Sequence, residues 1–281
     1  MIVVRTVADL RAALQPRRDG SIGLVPTMGA LHEGHATLLR AARAACDTVV
    51  MSIFVNPTQF DEQADLAAYP RTEDADLAVA AAEGVDVVFA PEVAEVYPAG
   101  FATTVSVAGP VAETLEGAER GRGHFDGVAT VVTKLLLAAL PDHAYFGAKD
   151  AQQVAVIRRL VADLGLPVEV VVCPTSRDAD GLARSSRNAR LSPDERVRAL
   201  AISRALQEVT DAAAAGIRRS DALRDRALDV LAAALIELEY VAFVDPVTFA
   251  PVAAIDGPVL VAIAGRVGST RLIDNIVIGG A

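Results

Sequence analysis

The chain is poor in cysteine and histidine and carries no excess of positive charge. Its two cysteines, Cys46 and Cys173, form no Cys-x-x-Cys pair. That argues against a zinc ribbon or a disulfide framework and for a reducing compartment. Lys and Arg total 26 against 36 Asp and Glu, a formal net charge of -10. Broad binding to nucleic acid or to an anionic membrane surface needs a basic field, and this balance argues against it. No apolar run approaches the roughly 18 residues that span a bilayer. The opening MIVVRTVADLRAAL meets charge too early for a secretory signal. G-x-G-x-x-G, G-x-x-x-x-G-K-[ST] and G-x-S-x-G are all missing, so the dinucleotide fingerprint, the P-loop and the nucleophile elbow do not apply. These absences predict a soluble, cytoplasmic protein. Any anionic ligand must then be met by cations gathered locally.

What is present supports a large core. Apolar residues make up 52% of the 281 positions and charged residues 22%, and the length suits one large or two modest domains. Helical patterns over 6–16, 34–46, 72–82, 127–140 and 151–164 alternate with the apolar stretches SIGLVP, DTVVMSIFV, VDVVFAP, HAYFG and PVEVVVCP. Strands that are apolar throughout, not at every second residue, belong to a parallel sheet covered on both faces. Beyond about residue 176 the texture changes. Two Ala-rich helices, 193–215 and 220–235, precede three strands without intervening helices, an α+β segment. The expected division is 1–175 and 176–281.

Five stretches carry chemistry. In VPTMGALHEGHATLL, two of the four histidines form H-x-G-H at a strand–helix junction. His32 and His35, three apart, share a face where free backbone N–H groups already favour anions. That suits stabilisation of phosphate during nucleotidyl transfer; the plainer alternative is two helix caps. In FVNPTQF, Asn56 and Gln59 follow a strand's carboxyl end, where open α/β sheets bind ligands, or else form an Asx turn. RGRGHFDGVATVVTKLL places Arg120, Arg122 and His124 before an apolar helix containing Val131 and Val132, equally readable as a cap beside solvated arginines. YFGAKDAQQ sets Lys149 after a strand, as a point charge for phosphate or as an ordinary turn. In ARSSRN, a surface loop by itself, Ser185, Ser186 and Arg187 make a compact anion binder. Together with H-x-G-H, such a loop fits ATP-dependent adenylyl transfer.

These stretches, with AYPRT, GHFDGVATVV, RDADGLARSSRN and TRLIDN, occur in the order found in the pantoate–β-alanine ligase family, and the chain resembles that family over nearly its whole length. The resemblance implies a Rossmann-like parallel sheet of the HxGH adenylyl-transfer type, a smaller α+β C-terminal lid domain and a homodimer. It implies condensation of pantoate with β-alanine through pantoyl adenylate, with ATP and Mg2+. By position, Met28, Gly29, Ala30, Leu31, His32, Glu33, Gly34 and His35 would contact ATP. So would Gly147, Ala148, Lys149 and Asp150, together with Ser176, Arg184, Ser185, Ser186 and Arg187. His32, His35, Lys149 and Arg187 would be catalytic; His35 matches the family's proton donor, although a hydrogen bond to phosphate needs no proton transfer. Gln59 and Gln153 would bind substrate, with Pro26, Met28, Val131 and Val132 as an apolar wall and Asn56 and Arg122 nearby. Asp76 falls in a region linked to magnesium, but Ala75 interrupts its acidic run, so the metal ligands are unassigned.

The sequence departs from the family pattern at Ala148 (usually Glu), Ser176 (usually Val), Arg184 (usually apolar) and in GRGHF (usually RPGHF). Losing an acid and gaining a base makes the site more positive by two charges if both side chains face it. Two other readings remain open. One is a related ligase using a different acid or amine; the other is an HxGH nucleotidylyltransferase, which transfers AMP to a phosphate.

Overall fold

The computed structural model describes residues 1–60 and 63–280. Its strands are β1 (Ile2–Val4), β2 (Ile22–Thr27), β3 (Thr48–Ile53), β4 (Val87–Phe89), β5 (His143–Gly147), β6 (Glu169–Cys173), β7 (Glu237–Val244), β8 (Val259–Val267) and β9 (Thr270–Ile278). The helices are α1 (Val7–Leu14), α2 (Glu33–Ala45), α3 (Gln63–Ala68), α4 (Glu73–Ala82), α5 (Val93–Val96), α6 (Pro110–Glu113), α7 (Glu116–Arg120), α8 (Arg122–Ala139), α9 (Ala151–Asp163), α10 (Pro193–Ala214) and α11 (Ser220–Ala233). The chain divides into two compact units, residues 1–147 with 156–174, and residues 148–155 with 175–281.

The first unit is a six-stranded parallel sheet in the order β1-β4-β3-β2-β5-β6. The continuous apolar runs become its central strands: every residue of β3 up to Ser52 is buried, as is β2 from Ile22 to Val25. Val25, Leu39, Met51, Val88 and Tyr145 lie in one buried cluster on this sheet. From β2 the chain builds outward to β3 and β4, then crosses back to add β5 on the other side. The topological switch point therefore lies between β2 and β5, where open α/β sheets place ligands. Pairing of β2 with β5 covers Gly23 and Leu24, whereas its pairing with β3 runs to Thr27. Pro26 has no N–H with which to extend a ladder, so the carboxyl ends of β2 and β5 are free to diverge.

The second unit packs α10 and α11 on the antiparallel sheet β7-β8-β9. Ile202, Leu206, Leu223, Val261 and Ile263 form its core. Ser192 starts α10 with a capping box: its hydroxyl accepts from Glu195 N–H, and the Glu195 carboxylate accepts from Ser192 N–H.

The expected α/β sheet and smaller α+β segment are both present. The differences are local, and the short helix α3 is among the elements not expected. β1 was not expected, because three apolar residues beside Arg5 give too short a signal. The helices α5 to α7, of four or five residues each, have no periodicity to read. α8 begins at Arg122, not at Gly127; two glycines in its first turns depress propensity, and contacts with the Asn56–Gln59 turn hold that end. Among the described residues, no helix is long and apolar enough to cross a membrane.

Candidate active site

In the first unit, β2 ends at Thr27, and the chain turns through Gly29 (φ 77) and Ala30 (φ 51) into α2. Two successive left-handed residues are costly for a non-glycine, so something must hold this turn. Asp76 does. Its buried carboxylate accepts from Ala30 N–H (3.0 Å), Leu31 N–H (2.7 Å) and the Thr72 hydroxyl (3.2 Å). A Cβ on Gly29 would stand 2.8 Å from Asp76 Oδ2, so glycine is required by space as well as by φ.

His32 caps α2. Its Nδ1 accepts from Gly34 N–H (3.1 Å), while His35 Nδ1 accepts from His32 N–H (3.2 Å). The rings lie with centroids 4.1 Å apart. A nitrogen that accepts from an amide cannot itself carry the proton, so both neutral rings are protonated at Nε2. The capping arrangement is present: each histidine makes a capping bond through Nδ1, and the cap fixes the tautomer that puts N–H on the opposite nitrogen. The helix N-terminus adds its own favourable field for anions.

The FVNPTQF turn follows β3. Asn56 is 1% exposed. Its Nδ2 donates to Gln59 Oε1 (3.1 Å) and to Gly127 O (3.1 Å); its Oδ1 accepts from the hydroxyls of Thr58 (2.9 Å) and Tyr97 (2.8 Å). Asn56, expected near the substrates, is occupied by the protein at both ends and acts on Gln59, whose Nε2 points at Met28 Sδ (3.0 Å). His124, read from sequence as lying before a helix, sits in the first turn of α8, and its Nδ1 is 2.9 Å from Gln59 O. A carbonyl only accepts, so here Nδ1 carries the proton, the opposite tautomer from His32 and His35. A Cβ on Gly127 would be 2.3 Å from Thr58 O, so α8 lies directly against this turn. Val131 and Val132 are buried within α8, while Pro26 and Met28 are half-buried. The Arg122 side chain lies outside the described residues.

In the second unit, the one-turn helix Ala148–Asp150 carries half-buried Lys149, and half-buried Gln153 follows in α9. Gly147 closes β5 in the first unit. Asn275 on β9 donates from Nδ2 to both Ala148 O (3.0 Å) and Lys149 O (2.7 Å). Residues 176–184 form a small hairpin, bridged at Arg177 and Ala183 and closed by Arg184 N–H to Ser176 O (2.9 Å). Ser185, Ser186 and Arg187 follow. Ser185 Oγ accepts from Arg187 N–H (3.2 Å), and both Ser186 and Arg187 are exposed. Arg184 directs Nε to Arg177 O (3.1 Å) and Asp178 Oδ1 (3.2 Å), with its side chain 29% exposed. Asp178 and Asp180 also hold Arg196, each at 2.8 Å.

Sequence reasoning placed His32, His35, Gln59, Lys149 and the serine loop at element junctions, where the structure also has them. It gave no role to Arg177, Asp274 or Asn275, left Asp76 unassigned beside a magnesium-linked region, and read His124 only as part of a stretch before a helix. TRLIDN was visible as a motif, but nothing in it shows which carbonyls an asparagine will reach.

Residues 2–277 match the family model described as pantoate-beta-alanine ligase. A pantothenate synthetase of Acidobacterium capsulatum is 51% identical over 98% of this chain and 96% of its own, and one of Roseiflexus sp. is 52% identical over 99% of each. The crystal structure of pantothenate synthetase from Thermus thermophilus is similar at 48% identity and a TM-score of 0.93, covering 98% of this chain and 99% of that one. A pantoate-beta-alanine ligase from Francisella tularensis, complexed with beta-gamma ATP and β-alanine, is 33% identical with a TM-score of 0.81, covering 98% and 97%.

Proposed function

The chain belongs to the pantoate–β-alanine ligase family, and on that premise we propose how it joins pantoate to β-alanine at the expense of ATP. Pantoate's carboxylate attacks the α-phosphorus of ATP, giving pantoyl adenylate and pyrophosphate. The amine of β-alanine then attacks the acyl carbon, loses a proton and displaces AMP. No covalent enzyme nucleophile is needed. The protein supplies position, charge neutralisation and protection of the acyl adenylate from water.

The observation that carries this reading is the histidine pair. His32 and His35 present Nε2–H donors from the N-terminus of α2, beside the switch point, because their Nδ1 atoms are bonded to backbone N–H groups. In this assignment they donate to the phosphates as charge develops on the leaving pyrophosphate. Residues 28–35 line the nucleotide's path. Lys149 neutralises a phosphate, with Gly147, Ala148 and Asp150 beside the nucleotide. Arg187 with Ser185, Ser186, Ser176 and Arg184 form the second anion-binding segment. Gln59 and Gln153 hold the polar groups of the substrates, and Pro26, Met28, Val131 and Val132 face the gem-dimethyl group of pantoate. Asn56 orients Gln59. We take residues 1–175 as the ATP and pantoate domain and 176–281 as the C-terminal domain, in a cytoplasmic homodimer, although residues 148–155, with Lys149 and Gln153, group with the second compact unit.

Magnesium accompanies ATP in such chemistry, commonly held by the nucleotide's phosphates with one or two carboxylates. Among the described residues, no three His, Cys, Asp or Glu side chains converge, and the Asp76 carboxylate is already bonded to two backbone amides. No residue is therefore assigned to the metal, and no step runs through it.

The test is pantoate-dependent exchange of labelled pyrophosphate into ATP. Exchange with pantoate, followed by AMP release on adding β-alanine, is the expected result. Failure of exchange with pantoate would reject the reading. Exchange without β-alanine-dependent AMP release would point to another amine.

A further inference from the structure

Lys149 and the serine loop lie far apart in sequence, yet a continuous set of hydrogen bonds joins their backbones through β9. Asn275 spends both Nδ2 protons on the carbonyls of Ala148 and Lys149. Its own N–H donates to Asp274 Oδ1 (2.8 Å). Asp274 is 4% exposed and takes Arg177 in a two-pronged ion pair, Nη1 to Oδ2 at 2.6 Å and Nη2 to Oδ1 at 3.0 Å. Arg177 Nη1 also reaches Gly181 O (3.2 Å), across the hairpin that leads into Ser185–Arg187. Every member of this path belongs to the second unit.

Each residue type in the path follows from what it must bond. Two carbonyl oxygens only accept, and asparagine is a short side chain with two donors on one atom. An aspartate at 275 would bring oxygen against oxygen. Asp274 must be an acid, because the Arg177 guanidinium fork matches a carboxylate in geometry and charge. The Asp274 carboxylate is removed from water while the Arg177 side chain stays half-buried, and the pair resists rearrangement because separating it leaves a buried carboxylate unpaired.

We infer that Asn275 is a positioning residue for Lys149. By fixing the carbonyls of 148 and 149 it sets the rotation of the one-turn helix that bears the lysine, and Asp274 with Arg177 hold Asn275 in register with the hairpin before the serine loop. The inference rests on the proposed role of Lys149 as the cation that meets ATP. It goes beyond that role, because it assigns the setting of the cation to a residue on another element that touches no substrate.

The test uses the full-length protein and pantoate-dependent pyrophosphate exchange. Asn275→Ser keeps one donor, Asn275→Ala none, and Asn275→Asp reverses the interaction. Exchange should fall in that order, with Asn275→Asp down about ten- to a hundredfold, the scale on which misplacing a catalytic group acts. The KM for ATP should rise while the KM for pantoate stays unchanged. In the Lys149→Ala background, Asn275→Ala should cause no further loss, because its effect passes through the lysine; a double-mutant cycle reads this directly. Equal exchange in all three variants would overturn the inference. So would additive losses in the double variant, or a matching rise in both KM values. If Asn275→Asp does not fold, the Ser, Ala and double variants decide the matter. Absence of exchange in the unmodified protein would instead reject the proposed function, and exchange untouched by Lys149→Ala would reject the role of the lysine.

Discussion

Replacing Asp76 by Asn separates two roles that one carboxylate could have beside the H-x-G-H turn. Asp76 is 2% exposed and meets Leu31 N–H at 2.7 Å and Ala30 N–H at 3.0 Å. These bonds hold Gly29 and Ala30 in the left-handed region. Asparagine keeps the shape but offers one oxygen and one NH2 group. One backbone amide keeps a neutral acceptor, and the other faces a donor. A hydrogen bond to a charged group contributes about 1.5–3 kcal/mol, and a buried donor left without a partner costs about 1–3 kcal/mol. Asp76→Asn should therefore lose about 2–5 kcal/mol of folding stability. The KM for ATP should rise, because the turn that delivers His32 is no longer fixed. Urea denaturation measures the first effect, and the loss should be the same in EDTA as in excess magnesium. A variant as stable as the parent in EDTA, with a defect relieved only by more magnesium, would refute the brace and make Asp76 a metal ligand.

Gly127→Ala places a methyl group 2.3 Å from Thr58 O and 2.8 Å from Gln59 N, against backbone that cannot swing aside. The expected result is a loss of about 1–3 kcal/mol in thermal or urea unfolding together with a raised KM for pantoate; unchanged values for both would show that α8 does not set the Gln59 turn. Asp47 sits below the usual carboxylate range, chiefly because its carboxylate accepts from Ser21 N–H and then from the Ser21 hydroxyl. The unfolded chain thus takes up the proton first, so this stabilisation is present above the unfolded value of about 4 and is lost as pH falls through the lower folded value. Unfolding temperatures followed from neutral to acid pH should fall less steeply for Asp47→Asn than for the parent, and parallel profiles would contradict the linkage.

The sheet was legible because its strands are buried on both faces, and burial writes itself into sequence as unbroken apolar runs. HAYFG matches β5 at both ends, and the three strands expected after the Ala-rich helices are β7, β8 and β9. The start of α8 was not legible, because Gly123 and Gly127 argue against a helix and what holds that end comes from elsewhere, through Asn56 to Gly127 O and His124 to Gln59 O. The same division runs through the site. The H-x-G-H pair can be found by spacing, but its tautomers cannot, since they depend on which backbone amides turn toward each ring. The turn containing Asn56 could be found by its motif, but not that its side chain bonds Gln59, Thr58, Tyr97 and Gly127 O. Arg184 makes the general point sharpest. Its charge is visible in ARSSRN, and with Ala148 it suggested a site more positive by two. The hairpin brings Asp178 back against its Nε, and the cluster of Arg184, Arg196, Asp178 and Asp180 carries two charges of each sign. The positive charge gained at Arg184 is thus offset within its own loop. Sequence reports that a charge exists, but only the fold selects its partner, and the partner decides how much of the charge reaches the ligand.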